Sequence, residues 1–306
     1  MRLLVIGAGS TGGYLGTRLA QAGRDVTFLV RPERAAQIRE SGLRIISPFG
    51  DTIFHPTFIT AERITKPYDI ILVTVKAFQL DAALDAFSLA VGRNTMILPV
   101  LNGMRHMDIL SERFPHNVIG GALRVMTVLE EDGRIIQLSL LQELAYGELD
   151  GSLTPRIQEL DAFLRSAQIG ARLSSCVRCE MWEKWILLSA LGAVTCLMRG
   201  LIGEVEACPE GKAFALQILD EIVAIVRAVG EAPSDNFLTA TRQQIIAKGS
   251  SVASSMYRDI ERGRSIEVEE IIGDMVRRGK KVGIKAPLLS AAYAHLCIYQ
   301  NRVKAA

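Results

Sequence analysis

An uninterrupted apolar run at the N-terminus, Leu3-Leu4-Val5-Ile6, leads directly into Gly7-Ala8-Gly9-Ser10-Thr11-Gly12. The run reads as a buried strand and Thr11 to Ala22 as a helix, so the glycines sit at a strand-to-helix turn. Glycine triplets occur by chance, and the spacing alone carries little weight. At this position each glycine has a physical role. Gly7 permits the tight turn, Gly9 lets the backbone approach a pyrophosphate, and Gly12 lets the helix pack on the strand. Ala8, Ser10 and Thr11 complete a loop whose N–H groups, at a helix N-terminus, favour a phosphate.

The rest of the first half repeats the strand-helix alternation. Asp25 to Val30, Asp69 to Val75 and Thr95 to Val100 read as strands, and Phe78 to Ala90 carries apolar residues at helical spacing. Such alternation implies a parallel sheet covered on both faces. Glu131-Asp132-Gly133-Arg134 reads as a hairpin turn and Tyr146 to Leu149 as a further strand, both extending that sheet. After Gly170 the pattern becomes helical. The helices expected are Arg178 to Met198, Glu206 to Val229, Phe237 to Ala247, Val252 to Arg262, Glu267 to Lys281 and Pro287 to Asn301. The fold class is therefore α/β, with an N-terminal Rossmann-type dinucleotide-binding domain over residues 1–170 and an all-α C-terminal domain over 171–306.

Composition removes several classes of function. The 306 residues carry a net charge of +2, with no concentrated basic face for nucleic acid. The Arg277-Arg278-Gly279-Lys280-Lys281 cluster reads as a solvated helix end. Mean hydropathy is positive, at +0.24. A spanning helix needs about 20 consecutive apolar residues, and Trp185 to Met198 is too short. The N-terminus lacks the long apolar stretch of a signal peptide, so a cytoplasmic setting is expected. Five cysteines, an odd number, do not suggest a disulfide framework. Cys176-Val-Arg-Cys179 has no second ligand pair for zinc, so ordinary packing is expected there and no metal. His106 reads as structural. The apolar helical half has material for a homodimer interface.

The end of the second strand bears on the choice of cofactor. NAD sites commonly hold the ribose 2′-hydroxyl with an acidic residue at that point. Here the residues are Val30-Arg31-Pro32-Glu33-Arg34. Arg31 is suited to a 2′-phosphate through charge-assisted hydrogen bonds, which favours NADPH, although Glu33 is also within reach of a ribose.

Several motifs, taken in order, resemble the ketopantoate reductase (2-dehydropantoate 2-reductase) family. They are the glycine loop, Val73-Thr74-Val75-Lys76-Ala77-Phe78-Gln79, Leu101-Asn102-Gly103-Met104, Met181-Trp182-Glu183-Lys184-Trp185, and Ser254-Ser255-Met256-Tyr257-Arg258-Asp259 leading to Glu267. The resemblance implies NADPH-dependent reduction of a small 2-oxo acid to a 2-hydroxy acid, with 2-dehydropantoate to pantoate, in pantothenate biosynthesis, as the named reaction. It assigns Lys184 as general acid, and Asn102 to the nicotinamide side and to orienting the lysine. Lys76 is assigned to cofactor and substrate, and Glu267 to substrate and the lysine. Ser255 is assigned to substrate, with Ser254 its rival. From the residues alone, Lys184 reads first as the partner of Glu180 in an i,i+4 ion pair, and Asn102-Gly103 as a common turn. On the helix after Glu267, the apolar stripe of Val268, Ile271, Ile272, Met275 and Val276 would leave Glu270 pointing outward.

Three positions depart from the family's pattern. Leu188 and Gly192, one and two turns after Lys184, and Val252, three residues before Ser255, stand where members often carry asparagine. A site that loses hydrogen-bonding groups loses affinity for a hydroxylated substrate. Two further readings follow: a relative acting on a more hydrophobic 2-oxo acid, such as a D-mandelate-like 2-hydroxy-acid dehydrogenase, and a non-catalytic NADP(H)-binding sensor.

Overall fold

A computed structural model describes residues 1–305, the side chain of Ser166 excepted. The chain forms two compact units. The first comprises Met1–Leu101 and His106–Arg178, and the second comprises Asn102–Arg105 together with the chain from Cys179 onward.

In the first unit the order is β1 (Arg2–Ile6), α1 (Ser10–Gln21), β2 (Asp25–Leu29), α2 (Pro32–Ser41), β3 (Leu43–Ile46), β4 (Thr52–Phe54), β5 (Thr57–Ile59), β6 (Ile70–Val73), α3 (Leu80–Phe87), β7 (Met96–Pro99), α4 (Arg105–Arg113), β8 (Gly120–Leu129), β9 (Ile135–Gly147), α5 (Pro155–Leu164) and β10 (Ala171–Leu173). One sheet has the order β5-β2-β1-β6-β7. All four of its pairings are parallel, with Leu3 opposite Val26 on one side and Ile70 on the other. Leu4, Val5, Ile71 and Val73 are fully buried, as an apolar run covered on both faces requires. The direction of strand addition reverses at β1, so the glycine loop lies at the topological switch point where such sheets bind ligands.

The later strands do not extend this sheet. They build a second one, β10-β9-β3-β4, with β8 paired to β9. The edge strand β7 ends at Pro99, which has no N–H to offer a further neighbour, and pairing on that side is limited to a single bridge from Ile97 to Val118. The expected hairpin turn is present: the Glu130 N–H donates to the Arg134 carbonyl and Gly133 takes a φ of 82°. Tyr146 lies inside the long β9, not on a separate strand. The segment between Pro32 and Tyr68, which shows no clear pattern in the sequence, supplies α2 and three short strands.

The second unit is built from α6 (Val177–Met198), which begins at the unit boundary, then α7 (Ile202–Ala207), α8 (Gly211–Val229), α9 (Asp235–Ile245), α10 (Ser255–Glu261), α11 (Asp274–Lys281) and α12 (Pro287–Ala305). α6 runs 22 residues and is long and apolar enough to cross a membrane, longer than its apolar centre alone suggests. In this fold 67% of its most apolar window is buried inside the protein, as in a core helix. The single helix expected from Glu206 to Val229 is broken into α7 and α8. Pro209 interrupts it, and Gly211 lies so close to Val205 that a Cβ there would fall 1.7 Å from the Val205 carbonyl oxygen. Ser234 caps α9 by accepting from the Phe237 N–H, and Ser254 caps α10 by accepting from the Tyr257 N–H.

Two expectations about surface chemistry are corrected. Cys176 and Cys179 are disulfide-bonded and not merely packed, with Cys176 immediately before α6 and Cys179 in its first turn. Cys196, Cys208 and Cys297 are free. The basic cluster of α11 is only partly solvated. Arg277 pairs with Glu269, and Arg278 pairs with Asp274 while lying over the rings of Trp182 and Trp185 at 5.8 and 5.6 Å.

Candidate active site

The nucleotide loop belongs to the first unit. Gly7 has a φ of +93°, a left-handed conformation that side chains avoid. A Cβ on Gly12 would sit 2.2 Å from both the Gly7 carbonyl oxygen and the Thr74 hydroxyl, so helix and strand touch through that glycine. The Thr74 hydroxyl donates to the Ile6 carbonyl at 2.8 Å and fastens β6 to the loop. Beside Gly9 the structure leaves open space. The first N–H groups of α1 have no acceptor within the helix, and its first turn holds no acidic residue. Ala8, Ser10 and Thr11 line this turn.

Arg31 is exposed and precedes α2 as its N-cap, with Pro32 at the first helical position. The sequence reading passed over Arg34, one turn further on. Its Nε donates to the Ala8 carbonyl at 3.1 Å, and its Nη1 donates to Gln37. Its Nη2 is buried and makes no hydrogen bond. Burial holds the Arg34 guanidinium below the usual arginine range. An orphaned guanidinium nitrogen beside a glycine cradle open at Gly9 fits an anionic dinucleotide. The available sequence signal is helical spacing: with α2 starting at Pro32, Arg34 turns back toward the loop. Lys76, also in this unit, is exposed just after β6, where it caps a short 3-10 turn, Ala77–Gln79.

The second unit brings together two of the other residues. The Asn102 carboxamide donates to Glu267 Oε2 at 3.2 Å. The neighbouring Gly103 has a φ of +79°, and a Cβ there would fall 2.5 Å from the Glu270 carbonyl oxygen. Asn102-Gly103 is thus a turn, and its conformation sets Asn102 against Glu267, which is 5% exposed. Lys184 is half-buried in the second turn of α6. It immediately precedes Trp185, whose indole N–H donates to the Ile271 carbonyl at 2.9 Å.

The helix after Glu267 is not regular. Residues Glu269–Gly273 form a π-turn. The wider turn rotates the face, so Glu270 points inward and not outward, and is 8% exposed. Burial pushes its carboxyl above the usual range, and the charges of Glu267 and Glu269 add to the shift against the opposing pull of Arg105.

The serines divide. Ser254 is buried, with its hydroxyl 3.0 Å from that of Thr195, and is committed to its helix cap. Ser255 is exposed at the first position of α10. Gly192 is buried, and a Cβ there would meet Met256, Ile272 and Ile271 at 2.5, 3.8 and 3.9 Å. Leu188 is half-buried one turn before it, and Val252 is half-buried with its carbonyl accepting from Ile202 N–H. Among the described residues there is no group of three or more His, Cys, Asp or Glu side chains able to hold a metal.

A glycine loop at the switch point of a parallel sheet, followed by a helical unit carrying Lys184, Asn102 and the buried Glu267, is the arrangement expected of a dinucleotide-dependent oxidoreductase. Comparison with known proteins gives the family. The description "Ketopantoate reductase PanE/ApbA" matches residues 3–151, and its C-terminal counterpart matches residues 177–300. The chain belongs to the ketopantoate reductase family, whose members use NAD(P)H. It is 32% identical to the uncharacterized oxidoreductase YkpB of Bacillus subtilis, over 98% of this chain and 99% of that protein. The crystal structure of 2-dehydropantoate 2-reductase from Geobacter metallireducens is 26% identical, with a TM-score of 0.86 over 97% of this chain and 99% of that one. A D-mandelate dehydrogenase solved with NADH and anilino(oxo)acetate shares the fold, at 20% identity and a TM-score of 0.88 over 99% of each chain.

Proposed function

We propose that the protein reduces a 2-oxo acid to the 2-hydroxy acid with NADPH, 2-dehydropantoate being the substrate the family names. The observation that carries this reading is the Asn102–Glu267 hydrogen bond, in the same unit as Lys184. NADPH, when bound in the glycine loop, would supply the hydride that the carbonyl carbon takes up. The Lys184 ammonium gives its proton to the carbonyl oxygen, so one hydride and one proton complete the alcohol. Asn102 orients the reacting groups, and Glu267 offers an acceptor to the lysine and to the substrate. Lys76 and Ser255 contact the substrate, and Lys76 the cofactor as well. The glycine loop, Arg31 and Arg34 hold the nucleotide, with the two arginines supporting NADPH over NADH.

A second reading is favoured by one observation. Leu188 and Gly192, on α6 beyond Lys184, carry no hydrogen-bonding side chain, and Gly192 is closed off by Met256, Ile271 and Ile272. A site without such groups suits a hydrocarbon substituent better than a hydroxylated one. A panel of 2-oxo acids with NADPH consumption as the readout tests both readings. Turnover of 2-dehydropantoate supports the first substrate. Turnover of phenylglyoxylate-type acids alone supports the second, and no turnover of any member contradicts the reductase reading.

A further inference from the structure

The π-turn Glu269–Gly273 is held from three sides. In it the Asp274 N–H bonds back five residues to the Glu269 carbonyl. Such turns are rare inside α-helices and recur at functional positions. On one side, the Trp185 indole N–H and the Ser189 hydroxyl both donate to the Ile271 carbonyl oxygen, each at 2.9 Å. Both donors stand on α6, one and five residues after Lys184, and they are 1% and 0% exposed. On a second side, the Glu269 carboxylate accepts from the Tyr293 hydroxyl at 2.7 Å and from Arg277 Nη1 at 2.8 Å. On the third, the Gly103 backbone lies against Glu270.

The contact from α6 is the informative one. Trp185 and Ser189 are four residues apart, so they share a helix face. A carbonyl oxygen has two lone pairs, and here side chains of another helix occupy it twice. Apolar packing allows small slides between helices, whereas two convergent hydrogen bonds fix both rotation and axial position. The bridge runs from Lys184 through its neighbour Trp185 to Ile271, four residues beyond Glu267. It joins the two residues that the proposed proton transfer requires.

We propose that Trp185 and Ser189 are positioning residues that clamp the Ile271 carbonyl and so set the register between Lys184 and Glu267. The inference rests on the reductase reading given above. Neither residue touches substrate, and both act through the π-turn.

The test uses the full chain, with Ser189→Ala, Trp185→Phe, the double variant and Lys184→Ala. Two readouts are taken: hydrogen exchange of the backbone over residues 267–276, which needs no activity, and kcat, KM and NADPH Kd on an accepted 2-oxo acid. Ser189→Ala is expected to accelerate exchange in that segment and to lower kcat about tenfold, with NADPH Kd within about twofold of the wild type. The double variant is expected to lose less than the product of the single losses, because both donors serve one carbonyl. Unchanged exchange in Ser189→Ala overturns the clamp. Faster exchange with unchanged kcat overturns its catalytic role and leaves the reductase reading standing. Full activity in Lys184→Ala overturns the reductase chemistry itself, whatever the exchange shows. Should Trp185→Phe fail to fold, Ser189→Ala carries the test alone.

Discussion

Asn102 Nδ2 and Glu267 Oε2 meet at 3.2 Å across 165 residues of chain, and the turn at Gly103 holds one against the helix that follows the other. Deleting the donor weakens the hold on a buried carboxylate. Asn102→Ala is expected to lower kcat by about tenfold or more, since a small misplacement of reacting groups is costly. The loss of one hydrogen bond to a charged group destabilises the fold by about 2 kcal/mol. Steady-state kinetics and urea unfolding check the two effects separately.

The nucleotide loop predicts its own failure. In Gly12→Ala the added methyl would fall 2.2 Å from the Gly7 carbonyl and the Thr74 hydroxyl, so α1 must move off β1. NADPH binding, followed by quenching of protein fluorescence or enhancement of the nicotinamide signal, is expected to be abolished. An unchanged Kd would mean that the phosphates lie elsewhere.

Arg31 and Arg34 are expected to divide the cofactors. Arg31→Ala and Arg34→Ala each remove a guanidinium suited to a 2′-phosphate, a contact whose loss is worth about 2 kcal/mol, so NADPH Kd is expected to rise tenfold or more. NADH, which lacks that phosphate, is expected to weaken far less. An unchanged NADPH-to-NADH ratio in both variants would refute the assignment. Arg34→Ala also frees the Ala8 carbonyl, so its effect on the loop is read from NADH binding.

Glu270 makes stability depend on pH. Its carboxyl is buried and its pKa lies above the ordinary value, so the folded state resists ionising it. Below the unfolded pKa both states carry the proton and there is no penalty. As pH rises through the raised folded pKa, this contribution to stability is lost. Glu270→Gln removes the titration. Thermal denaturation is expected to show the variant gaining on the wild type at pH 8 relative to pH 5. Parallel curves at the two pH values would show that Glu270 is solvated.

The glycine loop and parallel sheet were legible in the sequence because they rest on local backbone geometry. Gly7, Gly9 and Gly12 stand where the turn, the open approach and the helix contact require them, and the apolar runs of β1 and β6 state their own burial. The roles proposed for Lys184, Asn102 and Glu267 rest on the family resemblance alone. The meeting of Asn102 with Glu267 is tertiary, and on their own a lysine after a glutamate or an Asn-Gly pair reads as something ordinary. The π-turn was illegible because reading a helix at a fixed period assumes the regularity that Glu269–Gly273 breaks, and Glu270 was placed on the wrong face as a result. The second sheet was missed for a related reason. β3 and β4 are four and three residues long, too short to show alternation, and β10 pairs with β9 through residues 27 positions apart, Ala171 opposite Leu144. The order Arg31-Pro32-Glu33-Arg34 does not by itself tell which guanidinium turns toward the loop; the bond from Arg34 to the Ala8 carbonyl is a tertiary contact.

The proposed 2-oxo-acid reductase chemistry depends on Lys184 as its proton donor. Its most direct test is the kinetics of Lys184→Ala on an accepted 2-oxo acid, alongside NADPH binding. General-acid catalysis contributes about 10²–10⁴-fold, so kcat is predicted to fall by at least a hundredfold while NADPH Kd stays within about twofold of the wild type. A variant that keeps its kcat, or that loses NADPH affinity in proportion to kcat, would contradict it.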